Sequence, residues 1–205
     1  MALAKTAYHH GDLRAALIQA ALEVIDELGP KSLSIREVAH RAGVSHAAPY
    51  RHFVDKDALI TAVVEQGFEL LRATMLERRA EAGDDPLQQF AASGLAYVDF
   101  AIRYPTYYRV MFSGDLLSSS GAESLQHTST ETFRQLVEDL EMCQRMGLVV
   151  EGDPLLQATA VWSIVHGFVS LANDNRISHL GTGRPEFENA RDFVLNAIFQ
   201  GLVVR

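Results

Sequence analysis

Apolar residues recur along this chain at intervals of three and four, the period of a helix. Leu13, Leu17, Ala21, Val24 and Leu28 share one face, and Gly29-Pro30 closes the run. Ser34-Ile35-Arg36-Glu37 has the form of a capping box, in which the serine covers orphan amides and the glutamate reaches back to the cap. The pattern predicts a short helix after it, with Ile35, Val38 and Ala39 inward and Gly43 as the left-handed residue past its end. Ser45 stands where the next helix needs an N-cap. Asp55 suits the cap of a fourth helix, and Val54 and Leu59 are spaced as a hydrophobic staple around it. No breaker follows before Gly83, which allows a rod of ~40 Å at about 1.5 Å per residue.

Farther along, Asp85-Pro86 and Asp153-Pro154 each pair a cap with a proline at the first helical position. The periodicity predicts helices at 86–103, 106–112, 122–146, 154–173 and 185–203. The Ser-rich piece Ser113–Ser120 and the segment Asn173–Arg184 read as loops. No alternation suggests strands, and no internal repeat is present. The expected fold class is all-α. A three-helix helix-turn-helix unit over residues 1–57 is joined through the long helix to a helical C-terminal domain over 58–205.

Residues 34–53 carry the most information. A helix of about eight residues, a glycine-containing turn and a second short helix make a helix-turn-helix. In that arrangement the second helix enters the major groove of DNA, with its N-terminal residues facing base edges. Ser45 would cap it, and His46, Ala47 and Ala48 would form its first turn. Pro49 then falls at the fourth helical position, where its missing N–H removes the first intrahelical bond. Tyr50 and Phe53 lie three apart, one able to reach a phosphate while the other anchors the motif.

Charge qualifies this picture without reversing it. The 205-residue chain has a formal net charge of −8, which taken alone argues against a nucleic-acid partner. From Lys31 to Val54, however, Lys31, Arg36, Arg41 and Arg51 oppose Glu37 alone, with three histidines beside them. Residues 58–205 carry 11 basic and 19 acidic groups and account for the deficit. A locally basic segment on an acidic body is a footprint for phosphate binding. The N-terminus lacks the apolar run of a secretory signal. No run approaches the ~18 uninterrupted apolar residues of a membrane span, so no membrane partner is expected. The single cysteine, Cys143, excludes a disulfide framework and fits a reducing, cytoplasmic setting. It reads as a small core hydrophobe, with a redox sensor as the rival. For catalysis the chain offers no His-Glu-x-x-His, no paired cysteines and no glycine-rich phosphate loop. His9-His10, being adjacent, make a poor metal pair. No enzyme activity and no cofactor are expected.

The stretch from Gly43 to Leu59 resembles the signature of the tetracycline-repressor (TetR) family. The match rests on the Gly-Val-Ser turn, Tyr50-x-His52-Phe53, and Lys56-x-x-Leu59. Trp162-Ser-Ile-Val-His166-Gly167 is similar to the Trp-x-x-x-His-Gly element of one C-terminal subgroup, and Tyr8–Leu13 and Tyr104–Phe112 point the same way. Pro49 departs from the usual leucine-like residue. The resemblance implies a cytoplasmic, nucleoid-associated homodimer, usually a repressor, whose effector shifts the reading helices out of register. Carried over, it makes Arg36, His46, Ala47 and Ala48 base-readout candidates, with Ser45 as cap. Tyr50, His52 and Lys56 become phosphate candidates. His52 also fits a core-edge histidine and Lys56 a solvated lysine.

Residues 155–171 are apolar on nearly every side, and a helix apolar all round must be covered all round. A partner subunit is the natural cover, so self-association is expected through helices 154–173 and 185–203. The two-fold symmetry then demands a pseudo-palindromic operator. Gly167, in mid-helix, suggests a close helix approach. A small apolar effector would be held among Phe68, Met75, Phe100, Tyr104 and Tyr108, with Met111, Phe112, Phe133 and Trp162 completing the wall. His166 is placed to hydrogen-bond it. Taken singly, each of these residues reads more readily as ordinary core, and His166 as a histidine satisfied by a neighbouring backbone or side chain. The alternative function is an architectural or cell-division factor using the same DNA-binding motif without an effector.

Overall fold

The computed structural model describes residues 12–113, 119–177 and 184–204. His9-His10, most of the Tyr8–Leu13 motif and the middle of both expected loops lie outside that range. The helices are α1 (Leu13–Leu28), α2 (Ile35–Arg41), α3 (Lys56–Glu81) and α4 (Pro86–Arg103), then α5 (Pro105–Met111), α6 (Ser119–Arg145), α7 (Pro154–Asn173) and α8 (Arg184–Leu202). Among the described residues the only β pairing is an isolated antiparallel bridge between Val149 and Val203. The fold is all-α. Ser119 and Ser120, expected in a loop, belong to the first turn of α6.

The helix starts follow local chemistry. Asp12, Asp55, Asp85 and Asp153 each accept a backbone N–H from the first turn of α1, α3, α4 and α7, worth ~1 kcal/mol apiece. Ser34 Oγ accepts from the Glu37 amide at 3.2 Å. No return bond from the Ser34 amide to the Glu37 carboxylate forms, so only half of the capping box is made. Nor does the staple at Asp55 form: Leu59 is fully buried but Val54 is 79% exposed. At the end of α2, Val44 N–H bonds the Ala39 carbonyl at 3.0 Å and Gly43 N–H bonds that of His40 at 3.1 Å. Gly43 sits at φ +68°, which is the glycine-terminated Schellman closure.

α3 is the spine of the bundle, touching α1, α4, α5 and α6. A single hydrophobic core runs from Leu17 and Val24 in α1, through Leu59, Val63 and Leu71 in α3, to Val165 and Val169 in α7. The expected domain boundary at 57/58 therefore falls inside a continuous helix. Deep between α3, α4 and α6, Arg79 pairs with Asp139, which also accepts from Gln135 and Ser93. Burial pushes the Asp139 carboxyl upward, outweighing the opposing pull of Arg79.

α7 is long and apolar enough to cross a bilayer, yet it packs inside the bundle against α4, α6 and α8. Ala158, Val161, Val165, Phe168 and Val169 are buried. On its other face Leu156, Ile164 and Leu171 stand exposed, and Phe193 of α8 is 76% exposed. Phe168 leaves the outer stripe to stack on Phe187 of α8, with ring centroids 5.5 Å apart. No atom of another element comes within 4 Å of where a Gly167 side chain would begin, so the close approach expected there does not occur within the chain.

Candidate nucleic-acid interface and buried cavity

The segment after Gly43 departs most from expectation. No α-helix forms between Ser45 and Phe53; a turn leads into one turn of 3-10 helix over Pro49–Arg51. The cause is Pro49. It has no N–H to return to the Ser45 carbonyl, which accepts instead from Ala48 at 3.0 Å. His52 N–H then bonds the Pro49 carbonyl at 2.9 Å, the tighter i→i+3 pattern. No backbone amide donates to Ser45 Oγ, so the residue does not act as an N-cap here. Pro49 and Phe53 are buried and fix the segment to the body, while the guanidinium of Arg14 lies 5.6 Å from the Phe53 ring centroid.

Anchored this way, the segment presents Ser45, His46, Ala47, Tyr50 and His52 outward, with Ala48 half-buried. Tyr50 is 59% exposed. Arg36, on the first turn of α2, is exposed nearby in the sequence pattern, and Lys56 is half-buried at the first residue of α3. Arg51 joins the exposed set. Arg41 does not: it forms a two-pronged ion pair with Glu27 of α1, at 2.7 and 2.8 Å. That hydrogen bond holds the Glu27 carboxyl below its ordinary value and the guanidinium above its own. The pair locks α2 onto α1; among the described residues Arg36 and Arg51 have no ion-pair partner.

A cavity of about 600 Å³ opens among α3, α4, α5, α6 and α7. Phe68, Met75, Met111, Phe112, Phe133 and Trp162 all line it. Phe100, Tyr104, Tyr108 and His166 do not. Phe100 is fully buried on the far side of α4, and with Tyr104 it borders a surface groove between α3, α4 and α8. Tyr108 and His166 stand behind the wall: the His166 ring packs edge-on to Phe112, with centroids 4.6 Å apart. His166 Nδ1 lies 2.9 Å from the Tyr97 hydroxyl and 2.8 Å from that of Tyr108. Burial holds the imidazole below its ordinary pKa and raises both phenols. Tyr97, Ser93 and Gly94 of α4 complete the wall. The hydrophobic pattern marked them only as helix residues, because nothing in a period of 3.6 separates a cavity wall from core.

α5 connects the cavity to α1 and α3. Its last residue, Met111, lines the cavity. Its first turn holds α1, where Thr106 Oγ1 donates to Asp26 at 2.7 Å. Tyr107 donates to Gln66 of α3 at 3.0 Å.

The family model for bacterial regulatory proteins, tetR family, matches residues 17–63, and the tetracyclin repressor-like C-terminal domain matches residues 90–193. The chain belongs to the tetracycline-repressor family. It is 37% identical over 79 residues to the HTH-type transcriptional regulator BetI of Stenotrophomonas maltophilia (strain R551-3), covering 38% of this chain and 40% of that one. The chain thus matches less than half of BetI's length. It is 27% identical over 172 residues to the HTH-type transcriptional activator FasR of Mycolicibacterium smegmatis, covering 84% of this chain and 74% of FasR. A protein of unknown function from Rhodococcus sp. RHA1 superposes with a TM-score of 0.83 at 28% identity, over 98% of this chain and 100% of that one.

Proposed function

We propose that this TetR-family chain is a sequence-specific transcriptional regulator rather than an enzyme. It acts in the cytoplasm, on the chromosome, as a homodimer bound to a pseudo-palindromic operator and released by a small apolar effector. The observation that carries the reading is the exposed strip Arg36, His46, Tyr50, Arg51 and His52, held beside the positive end of α3 by buried Pro49 and Phe53. Arg36 has the fork that suits guanine. Ala47 and Ala48 offer only methyl contacts to thymine. Tyr50, His52, Lys56 and the first amides of α3 suit phosphate oxygens.

Two further observations support the dimer and the effector. Leu156, Ile164, Leu171 and Phe193 leave an apolar surface on α7 and α8 of the kind a second copy covers. The cavity lies where α3 and α5 both border it, so its filling bears on the helices that hold the DNA-facing strip. Trp162 on the wall, with His166 packed against its ring and Gly167 following, favours membership of the Trp-x-x-x-His-Gly subgroup. FasR is named an activator, and repression or activation here follows from where the operator lies relative to its promoter. Selecting bound duplexes from a random pool tests the reading. The expected outcome is a palindrome with half-sites one helical turn, ~34–36 Å, or a multiple apart. A monomer indifferent to duplex DNA at low salt overturns it.

A further inference from the structure

Resting on that effector reading, we infer that the cavity takes an uncharged, elongated apolar molecule carrying one hydrogen-bond acceptor, which the Tyr97 hydroxyl engages. Among the described residues that line it, none bears a formal charge. Arg79, reaching the end of the cavity marked by Ser93, is already held by Asp139 and Gln89. A carboxylate entering this space would shed its water with no cation to meet it, and a buried unpaired charge is strongly disfavoured. Asp139 is likewise committed, to Arg79, Gln135 and Ser93, so it offers a cation nothing.

The other end supplies a donor. Both phenols lie within bonding distance of His166 Nδ1, yet a neutral ring nitrogen makes one such bond. Tyr108 has other acceptors, the Ser170 hydroxyl at 3.0 Å and the His166 carbonyl at 3.3 Å. Beyond the ring nitrogen, Tyr97 has Trp162 Nε1 at 3.4 Å, a donor that cannot take its proton, and the neighbouring Tyr108 hydroxyl, which can. When Tyr108 occupies Nδ1, or when Nδ1 itself carries the hydrogen, the Tyr97 proton can turn from the Tyr108 oxygen to an acceptor that enters the cavity. Tyr97, not Tyr108, lines that cavity. A volume of about 600 Å³ suits an extended chain or a compact ring system.

Trp162, the chain's one tryptophan, lines the same wall, so its emission reports occupancy directly. The full-length protein is titrated with 2-undecanone, undecane, undecanoate and decyltrimethylammonium, and each probe is then added to the operator complex. The expected order places the ketone tightest. Tyr97→Phe weakens the ketone by ~3–10-fold, the worth of one neutral hydrogen bond, and leaves undecane binding unchanged. If undecanoate or the ammonium binds tightest and frees DNA, the ligand class is overturned while the effector reading stands. If the ketone binds tightest but DNA stays bound, the effector reading fails and the ligand class holds. Emission unmoved by every probe overturns both. Equal ketone affinity in Tyr97→Phe overturns the role of Tyr97, and the wild-type ranking decides the ligand class even if that variant misfolds.

Discussion

A methyl group added at Gly67 strikes the crossing of α3 and α5. Its Cβ would lie 2.6 Å from Met111 Sδ, 3.0 Å from Met111 Cγ and 3.1 Å from Tyr107 Cδ1. Carbon and sulfur settle near ~3.8 Å, so the sulfur must retreat by ~1.2 Å. Alanine in mid-helix returns ~1 kcal/mol over glycine, while overpacking costs roughly 1–3 kcal/mol. The balance for Gly67→Ala thus falls between no change and a loss of ~2 kcal/mol. Because Met111 lines the cavity rather than closed core, its flexible thioether can turn aside, which favours the mild end. The damage then appears in binding, since the displaced sulfur takes up ligand space. Urea denaturation should show a loss below ~1 kcal/mol, while 2-undecanone, followed by Trp162 emission, binds ~10-fold more weakly. A loss of ~3 kcal/mol with unchanged ketone affinity would refute this reasoning, because it would mean that α5 moves bodily rather than Met111 turning.

Four other outcomes follow from the described geometry. Ser34→Ala removes the bond to the Glu37 amide and should lower unfolding free energy by ~1 kcal/mol in urea denaturation. Ile164→Glu puts a charge on the exposed apolar face of α7 and should shift sedimentation from two chains to one, with operator affinity falling in parallel. Lys56→Ala should weaken binding to every duplex and reduce the salt slope by about one, whereas Arg36→Ala should relax preference at one operator position. Equal losses with unchanged preference would contradict that division. Burial holds His166 below its ordinary value of 6.5, so below pH 6.5 the unfolded chain binds the extra proton first. Stability is therefore full above that value and declines as pH falls toward the folded pKa. His166→Asn should lose that portion of the decline, read as wild-type and variant urea midpoints compared at pH 7.5 and 5.5.

The helices were legible because each carries its own punctuation. Asp55, Asp85 and Asp153 announce their starts, and Gly43 sits at φ +68° where α2 ends. The strip proposed to face DNA was marked out by residue type and spacing. Its conformation was not, because one missing N–H at Pro49 outweighs the helical periodicity on either side. The cavity was half legible. Phe68, Met75 and Trp162 reach it, while Phe100 and Tyr104 are turned from it by helix rotations that apolar spacing alone leaves undetermined. The Arg79–Asp139 pair joins positions 60 residues apart, with no local signal for either member. Val54 shows the same limit from the other side: its spacing suits a staple, but no neighbouring surface receives it.

α3 runs without a break from Lys56, beside the DNA-facing strip, past Phe68 and Met75 on the cavity wall. Those first twelve residues span ~18 Å of hydrogen-bonded rod, with no proline to serve as an elbow. A molecule too wide for the cavity cannot be absorbed by bending that rod locally. It must swing the whole length, and the far tip travels farther than the point that was pushed. In the proposed dimer, small differences in effector girth would thereby become a change in the separation of the two ends proposed to read DNA.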